Sequence, residues 1–283
     1  MTRTGTILDT IVDDTRLLVA KRSLQVPLSA LSDRAHYGRT PHRLDEALRR
    51  PEDGPQFIAE IKKASPSEGL IRPNFDVPDL ARQYAFGGAA ALSVLTEPTH
   101  FKGHPDDLTA ARSAVDLPIL RKDFIIDPYQ IHEAKSIGAD AILLIASILD
   151  AHQLLEYHEE AQSLGLSVLV EVHDPQELDR VPWDVVSVLG VNNRNLKTFT
   201  VDLTHAASVF AEVSAPVVRV AESGIGSGQD VAALFRSEMD AMLVGTRLMR
   251  EASPGAALFA LNQSAREELG LPTVPRDTIS RLP

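Results

Sequence analysis

The sequence predicts an α/β protein built as a single closed (β/α)8 TIM barrel with an N-terminal helical extension. From Phe57 onward, eight short apolar runs alternate with longer stretches of helical periodicity, each pair close to one βα unit in length. The 283 residues are enough for a barrel of about 250. The alternative is an open doubly wound sheet. Closure is favoured because the eight near-equal runs follow one another without a break in composition.

The segment before the first strand, about fifty residues long, carries helical signals and no strand signal. Apolar positions at helical spacing predict a helix over Thr6–Lys21. Two shorter helical stretches follow, Leu28–Ala35 and Arg43–Arg50.

The barrel elements are predicted in strict alternation. The strands are Phe57–Ile61, Ala91–Leu95, Pro118–Leu120, Ala141–Ile145, Ser167–Val172, Val185–Val191, Val217–Ala221 and Ala241–Val244. The helices between them are Val77–Gly87, Asp106–Ser113, Pro128–Ile137, Ala151–Leu164, Pro175–Val181, Asp202–Val213 and Gly228–Arg236. A last helix, Ala256–Leu269, ends at Gly270, and the proline-containing tail 271–283 is predicted to be loosely ordered.

Composition narrows the class of protein. The chain is 44% hydrophobic and 24% charged, which is typical of a soluble globular protein. Its net charge of −11 disfavours nucleic acid as a partner but leaves room for a small anionic ligand. The absence of cysteine excludes disulfides and cysteine-ligated metals and fits a cytoplasmic protein. Acidic residues in the first apolar stretch argue against a signal peptide, and no run is long enough for a transmembrane helix.

Polar side chains follow the predicted strands at their carboxyl ends, where barrels of this kind carry their catalytic residues. These are Glu60 and Lys62, Thr96-Glu97, Arg121-Lys122-Asp123, Glu171, Asn192-Asn193-Arg194, Glu222-Ser223-Gly224 and Gly245-Thr246. Glu171 lies inside the apolar run VLVEV, so its carboxylate needs a cationic partner or has a raised pKa. Ion pairs without chemistry remain the alternative for Glu171 and for Glu60 with Lys62.

A phosphate site is predicted at the last two strand ends. Glycine-rich turns occur at Ser223-Gly224 and at Gly245-Thr246, and backbone N–H groups in such turns bind anions. The loops after the seventh and eighth strands are the usual phosphate site of barrels. Ser65, in the first loop, would add a hydroxyl group.

Eight longer motifs carry a resemblance to a known family. They read FIAEIKKASPS, LSVLTE followed by FKG, LPILRKDFIIDPYQI, ADAILLI, LVEVH, LGVNNRNL, VAESGI and DAMLVGTRLM. From about Ile7 to Asn262 the chain resembles indole-3-glycerol phosphate synthase, a (β/α)8-barrel carboxy-lyase of tryptophan biosynthesis. The resemblance implies a phosphorylated small-molecule substrate, 1-(2-carboxyphenylamino)-1-deoxyribulose 5-phosphate, which is cyclised to indole-3-glycerol phosphate with loss of CO2 and water.

The resemblance also implies roles for the strand-end residues. Lys122 would be the general acid for the substrate ketone, and Lys62, Glu60 and Glu171 would serve the loss of water. Our preferred hypothesis has Glu171 as base and Lys62 as acid, although Glu60 and Glu171 could exchange roles. Asn192 would hold the hydroxyl or the carboxylate, and Arg194 would support the acidic residues.

The remaining expectations concern binding and organisation. The phosphate would lie against Ser65, Gly224 and Gly245-Thr246, with Glu222 and Ser223 in the same turn, and the ring would lie in a slot formed by Phe101 and Leu144. The extra helices would cover the mouth of the barrel or its edge, help to bind the phosphate and form one domain with the barrel, residues 1–270. No metal, organic cofactor or membrane partner is implied. We expect a monomer, with a weak oligomer as the alternative.

The sequence departs from the family pattern at Glu68, where lysine is common, and at His104, where serine is common. Two other functions are weighed. Phosphoribosylanthranilate isomerase is disfavoured because its chemistry asks for a cysteine, which this chain lacks. A non-catalytic barrel scaffold is disfavoured by the intact set of lysines and carboxylates.

Overall fold

The computed structural model describes residues 3–49 and 54–274, and its eight long strands form a closed parallel barrel. The strands are β1 Gln56–Ile61, β2 Ala91–Leu95, β3 Ile119–Lys122, β4 Ala141–Ile145, β5 Ser167–Val172, β6 Val188–Asn192, β7 Val218–Glu222 and β8 Ala241–Val244. Each strand pairs with the next in the chain, and β8 pairs back with β1, where Phe57 lies opposite Met242. The predicted closed barrel is therefore confirmed, and the open sheet is excluded.

Eleven α-helices and one 3₁₀ helix are present in the described residues. They are α1 Ile7–Gln25, α2 Leu28–Ser32, α3 Leu44–Leu48, α4 Val77–Phe86, α5 Pro105–Ala114, α6 Pro128–Ile137, α7 Ala151–Ser163, the 3₁₀ helix Pro175–Arg180, α8 Thr204–Phe210, α9 Gly228–Arg236, α10 Thr246–Met249 and α11 Pro254–Leu269. The predicted elements all occur, with bounds shifted by a few residues at most. Between Ala64–Ser65 and Gly69–Leu70 the first loop adds a short antiparallel ladder that the sequence did not predict.

The strands are apolar along their whole length because both of their faces are covered. All five residues of β4 are buried, as are all six of β5. One face packs inside the barrel and the other packs under the surrounding helices, which is why the sequence shows continuous apolar runs instead of alternation. Helices α4, α6, α7 and α9 begin at side-chain caps, in which Asp76, Asp127, Asp150 and Ser227 accept hydrogen bonds from backbone N–H groups.

The N-terminal extension packs directly on the barrel. Leu8, Ile11 and Val12 of α1 are buried in the same apolar core as the strands. Further along α1, Arg22 contacts Glu133 of α6 at 3.3 Å. The first turns of α1 lie at the carboxyl ends of the strands, where Ile7, Leu8 and Ile11 line a cavity. Val274 exchanges hydrogen bonds with Gln263, and the rest of the predicted tail, 275–283, lies outside the described residues.

None of the helices in the part of the chain that the structure describes is long and apolar enough to cross a membrane.

His158 is a buried histidine whose charge state should affect stability. It lies on α7 with 1% of its surface exposed, and neither ring nitrogen has a hydrogen-bond partner among the described residues. Burial lowers the pKa of His158 from 6.5 to about 4. Between these two values the unfolded chain binds a proton that the folded chain does not. The folded state therefore loses stability as the pH falls through this window.

We expect His158→Leu to reduce this acid sensitivity. Relative to wild type, the variant should gain about 2 kcal/mol in free energy of unfolding between pH 7 and pH 5. Urea unfolding at both pH values measures the difference. His152→Leu is the matched control, because His152 lies on the same helix with its side chain 87% exposed. An equal pH dependence in wild type and His158→Leu would contradict the prediction.

Candidate active site

A cavity of about 500 Å³ opens at the carboxyl ends of the barrel strands. All but one of the residues that the sequence predicted for the site line it: Glu60, Lys62, Ser65, Phe101, Lys122, Glu171, Asn192, Arg194, Glu222, Ser223, Gly224, Gly245 and Thr246. The barrel thus brings together residues that lie up to about 190 positions apart in the chain.

Leu144 is the exception. It is fully buried and does not line the cavity, whereas its neighbours Leu143 and Ile145 do. Successive side chains of a strand point to opposite faces, and Ile145 is in register with Glu171, which faces the interior. Leu144 therefore faces the helices. The predicted position was wrong by one residue, which is the shift that moves a side chain to the other face.

Four charged side chains from the odd-numbered strands meet inside the barrel. Lys122 Nζ of β3 donates hydrogen bonds to Glu171 Oε2 of β5 and to Glu222 Oε2 of β7, both at 2.7 Å. Glu60 of β1 accepts a hydrogen bond from Lys62 Nζ at 2.5 Å. Side chains of alternate strands share a layer in such barrels, which explains why these four strands contribute to one cluster. We call Glu60, Lys62, Lys122, Glu171 and Glu222 the lysine–carboxylate cluster.

The carboxylates of the cluster are buried, and its lysines are partly exposed to the cavity. The side chains of Glu171 and Glu222 are 4% and 2% exposed, and that of Lys122 is 14% exposed. The cationic partner expected for Glu171 is therefore Lys122. The other carboxylate oxygen of Glu171, Oε1, accepts a hydrogen bond from Asn192 Nδ2 at 3.4 Å.

Burial and neighbouring charges move the pKa values of the two carboxyls apart. Burial alone would raise the pKa of Glu171, but the positive charges of Lys122 and His173 outweigh it and hold this pKa at about 2. Burial raises the pKa of Glu222 to about 8, with Lys122 opposing and the negative charge of Glu171 adding to the rise. Burial lowers the pKa of Lys122, but its carboxylate partners raise it well above its usual value. Glu171 is therefore the more acidic and Glu222 the less acidic member of one coupled pair.

Two glycines make room for these carboxylates. A Cβ at Gly190 would collide with Glu222 Oε1, and a Cβ at Gly245 would collide with Glu60 Oε1. Glu60 Oε1 is the atom that accepts the hydrogen bond from Lys62, so a side chain at Gly245 would disturb that pair. Gly245 thus has a steric role in addition to its place in the predicted phosphate turn.

The loops after β7 and β8 form the polar end of the cavity. Ser223 and Gly224 both adopt left-handed backbone conformations, with φ of 67° and 80°. A non-glycine residue in this conformation is uncommon and marks sites where backbone direction matters. Ser65, 7% exposed, lies on the same lining, as does Thr246 at the start of α10. Backbone amides and hydroxyl groups therefore share this end with the side chains of Arg247 and Arg250.

Apolar side chains form the opposite wall. The rings of Phe101 and Phe124 lie 6.0 Å apart at a tilt of 36°. Leu143 and Ile145 contribute from β4, and α1 adds Ile7, Leu8 and Ile11. An aromatic ring fits between such side chains.

Several lining residues were not found from the sequence. His173 lies 3.2 Å from Glu171 through Nε2, and it stands two positions after Glu171, so strand alternation was an available signal. Phe124 carried no such signal, because it follows β3 in a loop. Glu222 was predicted for the substrate turn, and the structure places its carboxylate on Lys122 instead.

The two departures from the family pattern have structural partners. Glu68 lines the cavity and forms an ion pair with Arg250. His104 does not line the cavity. Its side chain caps α5 by accepting a hydrogen bond from the backbone N–H of Asp106.

The closed barrel and the cavity at the carboxyl ends of its strands place the protein in the class of (β/α)8-barrel enzymes. The fold is similar to thiamine phosphate pyrophosphorylase from Pyrococcus furiosus, with a TM-score of 0.58 and 16% identity over 81% of this chain and 100% of that one. It is also similar to a mandelate oxidase variant, with a TM-score of 0.57 and 16% identity over 90% of each chain. At this level of identity the likeness concerns the fold alone.

Sequence comparison gives the family. The family model of indole-3-glycerol phosphate synthase matches residues 8–261. Relatives named indole-3-glycerol phosphate synthase include one from Salinibacter ruber, 50% identical over 92% of this chain and 97% of its own length. Another, from Azospirillum brasilense, is 49% identical over 90% of this chain and 98% of its own. The chain belongs to the indole-3-glycerol phosphate synthase family, which confirms the resemblance found in its motifs.

We expect Glu222→Gln to change how stability depends on pH. In wild type, Glu222 keeps its proton in the folded state up to a pH of about 8, whereas the unfolded chain releases it near 4.5. The folded state therefore loses stability as the pH rises through this interval. Glutamine does not titrate. Between pH 5 and pH 8 the free energy of unfolding of the variant should therefore rise relative to that of wild type by on the order of 2–3 kcal/mol.

Urea unfolding at the two pH values measures this gain. Replacing the exposed Glu212 by glutamine provides the control and should leave the pH dependence as in wild type. A gain that shrinks with rising pH would show that Glu222 is ionised in the folded protein.

Proposed function

We propose that this protein cyclises 1-(2-carboxyphenylamino)-1-deoxyribulose 5-phosphate to indole-3-glycerol phosphate, with release of CO2 and water, as a carboxy-lyase of tryptophan biosynthesis. The observation that carries the proposal is Lys122, held between Glu171 and Glu222 inside the mouth of the barrel. Family membership over residues 8–261 supplies the reaction, and the cavity supplies groups that fit each part of it.

The substrate is proposed to bind with its two ends on the two walls of the cavity. Its phosphate would lie on the loops after β7 and β8, against Ser65, Gly224 and Gly245-Thr246, with Arg247 and Arg250 supplying positive charge. The anthranilate ring would lie against Phe101, Phe124 and the apolar residues of α1. This orientation places the ketone between the walls, beside the lysine–carboxylate cluster.

Lys122 is proposed to act first. The ring carbon that bears the carboxylate attacks the ketone, whose oxygen gathers negative charge and takes a proton from Lys122. The new carbon–carbon bond interrupts the conjugation of the ring, and loss of CO2 restores it. Glu171 and Glu222 hold the ammonium group in place by the two hydrogen bonds of 2.7 Å.

Loss of water follows and needs an acid and a base. Lys62 is proposed to protonate the departing hydroxyl group while Glu171, ionised at neutral pH, takes a proton from the adjacent methylene. Glu60 holds Lys62 through its 2.5 Å hydrogen bond. Asn192 would bind the hydroxyl group or the carboxylate, and Arg194 lies at the edge of the cavity beside it.

The two other functions gain no support from the structure. An isomerase of the phosphoribosylanthranilate type asks for a cysteine, and the chain has none. A scaffold needs no buried lysine between two carboxylates, an arrangement that is costly unless its charges are held together. We further propose that the protein acts in the cytoplasm as a monomer, with a weak oligomer as the alternative.

The direct test supplies the carboxyphenylamino-deoxyribulose phosphate and follows indole fluorescence. We expect a fluorescent product in stoichiometric yield with wild type and none with Lys122→Ala. Turnover of Lys122→Ala at the wild-type rate would end the assignment of Lys122 as the acid.

Two adjacent lysines offer a matched comparison. Lys62 lines the cavity, whereas Lys63 does not and lies 5.8 Å from the ring centroid of Phe75. We expect Lys62→Ala to lower kcat by about 10²–10⁴-fold, the usual contribution of a general acid. Lys63→Ala should keep kcat within about twofold of wild type. Steady-state kinetics at neutral pH measures both, and similar losses in the two variants would contradict the role of Lys62.

A further inference from the structure

Both arginines at the polar end of the cavity are paired with carboxylates of the same chain. Arg250 Nη2 donates a hydrogen bond to Glu68 Oε2, and Arg247 Nη1 donates one to Glu251 Oε1. All four residues line the cavity. Their formal charges cancel, so the positive charge proposed for phosphate binding is shared with carboxylates that are already in place.

The two ion pairs differ in how the fold makes them. Arg247 and Glu251 lie four positions apart in α10 and the turn after it, which is a local contact between exposed side chains. Glu68 and Arg250 lie 182 positions apart, and their pair joins the loop after β1 to the residue that ends α10. The side chain of Glu68 is only 25% exposed, against 44% for Glu251. Glu68 is therefore the carboxylate that the tertiary fold places on an arginine of this end.

Both partners of this ion pair lie beside groups that are proposed to bind the phosphate. The backbone N–H of Glu68 donates to the carbonyl of Ser65 at 3.3 Å, within one turn of the loop after β1. The backbone N–H of Arg250 donates to the carbonyl of Thr246 at 3.2 Å, within the turn that ends α10. The Glu68 carboxylate and a phosphate at this end are therefore alternative anions for the same guanidinium group.

The loop after β1 does not depend on Glu68 for its position. Arg72, further along the same loop, donates hydrogen bonds at 2.8, 3.2 and 3.4 Å to three backbone carbonyls around the end of α10, those of Glu251, Met249 and Ala252. The loop is also closed on itself by the short ladder between Ala64–Ser65 and Gly69–Leu70. These contacts remain when Glu68 moves away, so its departure frees Arg250 and leaves the loop in place.

We propose that Glu68 is a specificity-determining residue that competes with the substrate phosphate for Arg250. When the phosphate binds, it replaces the carboxylate on the guanidinium group, and Glu68 turns toward solvent. The cost of this exchange keeps an anion that uses only this end, such as inorganic phosphate, weakly bound. A substrate that also contacts the apolar wall has further binding energy to offset the cost. The inference rests on the proposed function, because it concerns the phosphate of that substrate.

We expect Glu68→Gln to bind inorganic phosphate about fivefold more tightly than wild type, because glutamine carries no charge with which to hold Arg250. The KM for the substrate should fall by a similar factor. Broadening of the 31P resonance of phosphate, titrated with protein at neutral pH, measures the dissociation constant, and steady-state kinetics measures KM. Damage to the fold would weaken binding, so it cannot produce the expected gain in affinity.

Glu238→Gln is the matched control. It removes the same charge and also breaks an ion pair with an arginine, Arg219, at 3.2 Å, but Glu238 lies between α9 and β8 at the amino ends of the strands. It should leave the dissociation constant of phosphate and KM within about twofold of wild type, because salt screens charges at that distance. In an Arg250→Gln background, Glu68→Gln should gain less than about twofold, since no guanidinium group remains for the two anions to share.

The outcomes separate this competition from the reaction it serves. Wild type that forms no indole product overturns the proposed function and, with it, the role of Glu68 in substrate specificity. Product formed by wild type, together with an unchanged or raised dissociation constant of phosphate in Glu68→Gln, overturns the competition alone. An equal gain with and without Arg250 overturns it as well, because Glu68 would then act by repulsion at a distance and not by exchange at one guanidinium group.

Discussion

The structure depends on one lysine shared by two buried carboxylates. Three ionisable groups inside a barrel would destabilise it if any of them lacked its partner, because an unpaired charge is costly away from water. Lys122 satisfies Glu171 and Glu222 at once, and the pair of carboxyls keeps a proton that two separate carboxylates would release. The same arrangement holds a base and an acid next to each other. The hydrogen bonds that stabilise the buried charges therefore also position the groups proposed for catalysis.

A second buried network holds the strand that presents Lys122. Arg121, fully buried, donates to Asp123 at 2.9 Å and to Glu133 at 2.6 Å. Arg22 of α1 contacts the same Glu133 carboxylate at 3.3 Å. The N-terminal helix is thus tied to β3 through one glutamate, and its first turns complete the apolar wall of the cavity. The extension therefore contributes to the site in two ways. Its first turns line the cavity, and its Arg22 contacts the glutamate that holds β3.

Much of the fold and of the site could be predicted from the sequence, because the strands of this barrel follow one another around the ring in their order along the chain. Polar residues after each apolar run indicated the mouth, and Glu171 within VLVEV indicated a buried partner. Leu144 was misplaced because a uniformly apolar strand carries no mark of which face is inside. The pairing of Glu222 with Lys122 was missed because the two residues lie 100 positions apart, and nothing local relates them.

The sequence by itself determined the eight βα units, the family and the identity of the residues at the strand ends, since these follow from local periodicity and from long motifs. Tertiary structure alone decided which charges pair and which carboxyl binds a proton more tightly. Such properties depend on distances of a few ångströms and on exclusion of water, and both arise only when the barrel closes.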